Sequence, residues 1–156
     1  MNLNFPDAEP VFPIRTAAKL LNVSVHTLRK YEREGLIIPH KKSSNQRLYS
    51  KSDLERIECI RSAINKEKIS IAGIKTIYSL IPCWQILECN ERHENCKAYN
   101  EHSKPCWMIK HENNYCTGRI CGECIVYLNF ANCGSIKERL KELTKVYTKI
   151  LQLGNY

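Results

Sequence analysis

Eight of the nine cysteines fall within 52 residues, at Cys83, Cys89, Cys96, Cys106, Cys116, Cys121, Cys124 and Cys133. Thiolates at this density bind soft metals or carry redox chemistry. The tightest spacing is Cys121-Gly122-Glu123-Cys124, a C-x-x-C that lets two thiolates face one ion. With Cys116 it becomes C-x4-C-x2-C, and Cys133 can supply a fourth ligand. That local spacing equals the plant-type ferredoxin arrangement for a [2Fe–2S] cluster. Paired C-x-x-C knuckles, the strong zinc signature, are absent from the sequence. His93, His102 and His111 can each replace one thiolate. An iron–sulfur cluster, favoured over Zn2+, a Zn2+ site, and free redox-active thiols all stay open. The ninth cysteine, Cys59, reads as a small buried residue on a helix.

A second set of residues suits anions. The stretch VHTLRKYEREG at 25–35 leaves His26, Thr27, Arg29, Lys30 and Arg33 on the outer face of one short helix. Such a helix can present these side chains to base edges and phosphates. Downstream, Lys41, Lys42 and Arg47 flank a polar hairpin tip. They are placed to follow a phosphate backbone, with Tyr49 offering a hydroxyl. Glu32 and Glu34 are expected to serve salt bridges or solvent.

Local signals supply the elements that must hold these groups. IRTAAKLL at 14–21 has helical apolar spacing with small residues where another helix can approach. Asn22-Val23 makes a turn, Ser24 caps the helix from Val25 to Glu34, and Gly35-Leu36 ends it in a Schellman stop. Two short helices joined this way make a helix-turn-helix. Leu36 to Pro39 is read as a strand paired with Arg47-Leu48-Tyr49, forming a basic wing. Ser50 and Asp53 form a capping box for a helix with Leu54, Ile57, Ile60 or Arg61, and Ile64 on one face. Ser70 caps a further helix, and Pro82 stops its continuation. At 135–153, Ile136, Leu140, Leu143, Tyr147 and Ile150 form an a/d seam of about two and a half heptads. That helix is expected to make a dimer contact.

Composition bounds the reading. The 156 residues carry 24 Lys+Arg against 16 Asp+Glu, formally +8. Residues 1–81 hold net +6, residues 82–133 net −1 and residues 134–156 net +3. The length excludes a large multidomain enzyme. With 43% hydrophobic and 26% charged residues, the chain is neither disordered nor membranous. The start has no basic region followed by an apolar one, so a cytoplasmic protein is expected. In that reducing compartment cysteines favour metal or redox work over structural disulfides. No Ser/His/Asp set, Walker loop or G-x-G-x-x-G is visible, so an enzyme is not expected. The expected fold is mainly α. A tail at 1–12 precedes a winged helix-turn-helix domain at 13–81. A small irregular cysteine-rich module at 82–133 and an amphipathic helix at 134–153 follow.

Three motifs, IRTAAKLLNVSVHTLRKYEREGLI, NQRLYSKSDLERI and KISIAGIKTI, occur in that order across about 70 residues. They resemble the DNA-binding domain of the MerR family of bacterial transcription regulators. The resemblance implies a homodimer on double-stranded promoter DNA, with RNA polymerase as a partner. It places Thr27, Arg29 and Tyr31 on the recognition helix, and Arg47 and Tyr49 on the wing. Lys30 departs from the family pattern, where an aromatic residue is common. Residues 82–128, with Pro82-Cys83-Trp84 and Pro105-Cys106-Trp107, resemble a small two-Cys-Trp module attached to bacterial signalling and regulatory proteins. The combined expectation is a regulator whose cysteine module senses redox state or metal. The alternatives are an electron-transfer or thiol-redox protein, or a zinc-stapled interaction module, each tethered to DNA by the N-terminal domain.

Overall fold

The computed structural model describes residues 7–89, 95–109, 112, 116–128, 141 and 145. It begins with β1 (Phe12–Pro13), α1 (Ile14–Leu20) and α2 (Val25–Arg33). Asn22 takes the left-handed conformation at φ 51° and lets α2 turn back onto α1. Ser24 caps α2 by accepting from the Thr27 N–H at 3.0 Å. At the other end the Leu36 N–H donates to the Tyr31 carbonyl and the Gly35 N–H to that of Glu32, both at 2.9 Å. This is the Schellman stop that the sequence predicts, with Gly35 at φ 70°.

The wing is β2 (His40–Lys41) and β3 (Arg47–Tyr49), with β3 central in an antiparallel β1-β3-β2 sheet. The predicted strand at Leu36–Pro39 is displaced. Leu36 and Ile37 are buried in the core instead, and Pro39 has no N–H to give a ladder. Pairing begins only after it, with His40 opposite Leu48. The hairpin closes through Lys42, whose N–H donates to the Gln46 carbonyl, while Asn45 at φ 60° turns the chain. The expected tail at 1–12 is also shortened, because Phe12 pairs with Tyr49 in β1.

Helix α3 (Lys51–Asn65) opens on the predicted capping box between Ser50 and Asp53, and α4 (Ile71–Ser79) on the Ser70 cap. Ala17, Leu21, Leu28, Tyr31, Leu36, Ile37, Tyr49, Ile57, Ile60 and Ile74 form the shared core. The mainly helical fold with a small antiparallel sheet is a winged helix-turn-helix, as the sequence predicts.

The cysteine-rich part contributes short α5 (Cys83–Ile86), 3-10 turns at Cys106–Met108 and Cys121–Glu123, and α6 (Ile125–Leu128). Both Pro-Cys-Trp units open a short helix behind their proline. A second core gathers Ile81, Trp107, Val126 and Tyr127. Lys141 and Lys145 are helical and exposed. Cys133, His93, His111 and the remainder of the predicted helix at 134–153, with its seam, lie outside the described residues. Among the described residues no helix is long and apolar enough to cross a membrane.

Candidate nucleic-acid interface and cysteine module

Helix α2 buries Leu28 and Tyr31 and leaves His26, Arg29, Lys30 and Arg33 exposed. Thr27 is half-buried, its hydroxyl 2.9 Å from that of Ser24. Lys41 and Lys42 are exposed on the wing beside it. These exposed side chains from two elements make one basic surface, and most of its lysines and arginines have no carboxylate partner among the described residues.

Glu32 is the exception. It accepts from Arg47 Nε and pairs with Lys41 Nζ at 3.2 Å, tying the recognition helix to both wing strands. Burial opposes its ionisation, but hydrogen bonds from Arg47 and Lys41 outweigh that and hold its carboxyl below the ordinary value. Glu34 likewise pairs with Lys75 at 3.3 Å. Both glutamates therefore serve salt bridges, as expected. Arg47 is half-buried and engaged within the protein rather than freely presented.

Two predicted contact residues are corrected. Tyr31 and Tyr49 are 6% and 0% exposed and belong to the core. Their rings join the apolar core, and the Tyr49 hydroxyl is buried with no hydrogen-bond partner among the described residues. Burial raises both phenols, Tyr49 to about 12, with nearby Glu32 adding to it.

The cysteine module sits directly behind this surface. Trp107 Nε1 donates to the Gly35 carbonyl at 2.7 Å, at the stop of the recognition helix. The Tyr127 hydroxyl accepts from the Ile38 N–H at 2.7 Å, at the base of the wing. Arg56 of α3 donates to the Tyr127 carbonyl, and its guanidinium lies 3.8 Å over the Tyr127 ring. Trp107 also meets Tyr127 edge-to-face at 5.4 Å and Tyr78 at 5.5 Å. None of Gly35, Ile38, Arg56, Trp107 or Tyr127 stands out from the sequence as a linked set. One signal was available: Arg56 continues the Asp53, Ile57, Ile60 stripe at helical spacing, a charge on an inward face.

Within the module, Cys83, Cys106, Cys121 and Cys124 pack partly buried around the Trp107–Tyr127 core. The Cys83 and Cys106 thiols hydrogen-bond, joining the two Pro-Cys-Trp units. That bond lowers Cys83 and, with burial, raises Cys106. Burial raises Cys121, and burial with the nearby Cys124 pushes Cys116 up to about 11. Burial also raises Cys89, with Cys83 and Cys96 as electrostatic neighbours. Cys83, Cys89, Cys96, Cys106, Cys116, Cys121 and Cys124 are not in disulfides. Cys59 departs from its expectation: it is half-buried and disulfide-bonded. His102 is exposed. Among the described residues no three His, Cys, Asp or Glu side chains are already gathered about one point as a metal site. The part-buried thiols of Cys83, Cys106, Cys121 and Cys124 are soft donors in kind, but they are not gathered into one coordination shell.

Comparison with known proteins identifies the first part of the chain. Residues 12–80 match the model for the MerR HTH family regulatory protein. Residues 12–80 are a MerR-type helix-turn-helix domain. A protein named as heat shock protein HspR, from Streptomyces coelicolor, is 38% identical over 71 residues, 46% of this chain and 47% of its own length. The HTH-type transcriptional regulator GlnR of Bacillus anthracis is 31% identical over 68 residues, 44% of this chain and 52% of its own. A protein of Haemophilus influenzae named as a heavy metal-dependent transcriptional regulator is 47% identical over 53 residues, 33% of this chain and 41% of its own. The chain thus spans about half the length of the curated relatives it matches.

Proposed function

We propose that this protein is a cytoplasmic, dimeric, promoter-binding transcription regulator whose cysteine module reports metal or redox state to its DNA-binding surface. The DNA part is supported by the MerR-type domain and by relatives named as transcriptional regulators. One observation carries the sensing part. The Trp107 N–H bond to the Gly35 carbonyl ties the cysteine-bearing core to the end of the recognition helix. A ligand can switch such a protein only by favouring one arrangement of the tied elements over another.

Cys83, Cys106, Cys121 and Cys124 are the residues that would hold an iron–sulfur cluster or Zn2+, with Cys116 beside them. Bound there, the group supplies a change of charge or coordination. The chain's own part is to pass any shift of Cys106 through Trp107 to Gly35. The hydrogen-bonded Cys83–Cys106 thiols favour a second reading, direct thiol oxidation in the same core.

The test is DNA binding by anaerobically purified protein, measured by fluorescence anisotropy before and after cofactor removal or oxidation. Iron, acid-labile sulfide and zinc are assayed on the same sample. The expected result is a change in DNA affinity of about tenfold or more that Trp107→Phe abolishes. An affinity that ignores cofactor and oxidation state would leave the cysteine module a staple or an independent redox unit.

A further inference from the structure

A sulfur that is not a thiol occupies the end of the recognition helix. The chain has two methionines, Met1 and Met108. Sδ, Cγ and Cε of Met108 crowd the place where a β-carbon on Gly35 would stand, so the thioether lies directly on the glycine that stops α2. The 3-10 turn Cys106–Met108 delivers it there, with the Met108 N–H donating to the Pro105 carbonyl at 2.9 Å. Met108 is half-buried, so its side chain also meets solvent.

Its surroundings suit a thioether and not a polar group. Met108 packs against the core of Ile81, Trp107, Val126 and Tyr127. Two donors beside it are already used. The Gly35 N–H donates to the Glu32 carbonyl at 2.9 Å, and Trp107 Nε1 donates to the Gly35 carbonyl at 2.7 Å. Oxidation to the sulfoxide turns this apolar side chain into a polar one with a strong acceptor oxygen. An acceptor held in such packing without a donor is unfavourable, so the side chain is driven outward to water. Trp107 is the next residue in the chain, and its indole holds the Gly35 carbonyl. Displacing Met108 therefore disturbs both supports of the helix stop, the packing on Gly35 and the bond to it.

We propose that Met108 is a modification site: a hydroperoxide oxidises its thioether to the sulfoxide, and the sulfoxide releases the stop of the recognition helix. A sulfur lone pair attacks one peroxide oxygen, and an S–O bond forms as the O–O bond breaks. The hydroperoxide proton passes to the departing oxygen, which leaves as an alcohol, or as water from hydrogen peroxide. The sulfur gives up two electrons and the peroxide takes them. No cysteine and no bound metal takes part, so the device is separate from the one assigned to the cysteine module.

The test treats the full chain with hydrogen peroxide and then with a thiol reductant, beside Met108→Leu, which keeps every cysteine and nearly the same volume. Peptide mass spectrometry is expected to find a gain of about 16 Da at Met108, the mass of one oxygen. NMR is expected to show the Gly35 amide and Trp107 indole resonances moved, and anisotropy a DNA affinity lower by about tenfold. Methionine sulfoxide reductase should reverse all three, and Met108→Leu should show none of them. Met108→Gln, polar and of similar length, should move the same resonances without oxidant. An unchanged mass at Met108 would overturn the proposal. So would a sulfoxide that moves neither resonance, an affinity equal before and after, or the same loss of affinity in Met108→Leu. Unoxidised protein that binds no promoter DNA would count against the regulator reading instead, and the mass and the two resonances would still decide the oxidation.

Discussion

Glu32 does two things at once. It neutralises Arg47 and Lys41, and it fastens the wing to the recognition helix. Its folded value is lowered, so its stabilising contribution is present above the ordinary 4.5 and is lost as pH falls through the lowered value. Glu32→Gln is expected to cost about 1 kcal/mol at neutral pH, given its partial exposure. The difference from the parent should vanish in acid, as urea melts at several pH values would reveal. Arg29 is exposed and outside this network. Arg29→Ala should leave stability unchanged while reducing the slope of log affinity against log salt by about one. Arg47→Ala should instead lower the urea midpoint, because its guanidinium is already in use. Charge and spacing made the cations on α2 legible as a surface. They could not tell Arg47 from Arg29, since that depends on which carboxylate the fold brings within reach. Nor could they tell that Tyr31 and Tyr49 are more valuable as core than as donors, because tyrosine suits both tasks.

The stop of α2 was readable from Gly35-Leu36 because a Schellman turn depends on residues adjacent in sequence. Caps at Ser24, Ser50 and Ser70 were legible for the same reason. The strand at Leu36–Pro39 was misplaced because an apolar run describes burial as well as a strand, and here the core took it. What lies behind Gly35 had no local signal. A β-carbon there would run into the Met108 side chain, besides facing φ 70°. Gly35→Ala is therefore expected to cost about 1–3 kcal/mol in thermal or urea denaturation. Adding Met108→Ala should recover the steric part and leave the conformational part. If the double variant is no more stable than Gly35→Ala, the packing of Met108 on the helix stop is wrong.

Across the whole molecule, the division into a basic region and a near-neutral cysteine region is plain in the charges, but their physical union is not. Among the described residues, the hydrogen bonds that join them at Gly35, Ile38 and Arg56 span the longest separations, with Ser79 to His102 a shorter-range one. None of the first three leaves a trace in the sequence, since each pairs residues more than 70 positions apart. A fragment ending after Leu80 should melt at lower temperature than the same residues within the full chain, read by hydrogen exchange on α3. Each lost bond is worth about 1 kcal/mol. The Arg56–Tyr127 contact spans 71 residues, and a chain emerges from the ribosome N-terminus first. The helix-turn-helix, wing and α3 are thus all made while Arg56 still waits for its partner. Until Tyr127 arrives, the nascent DNA-binding domain carries an open seat beneath its wing. The seat of Arg56 is completed only when Tyr127, late in the cysteine-rich part, has been synthesised.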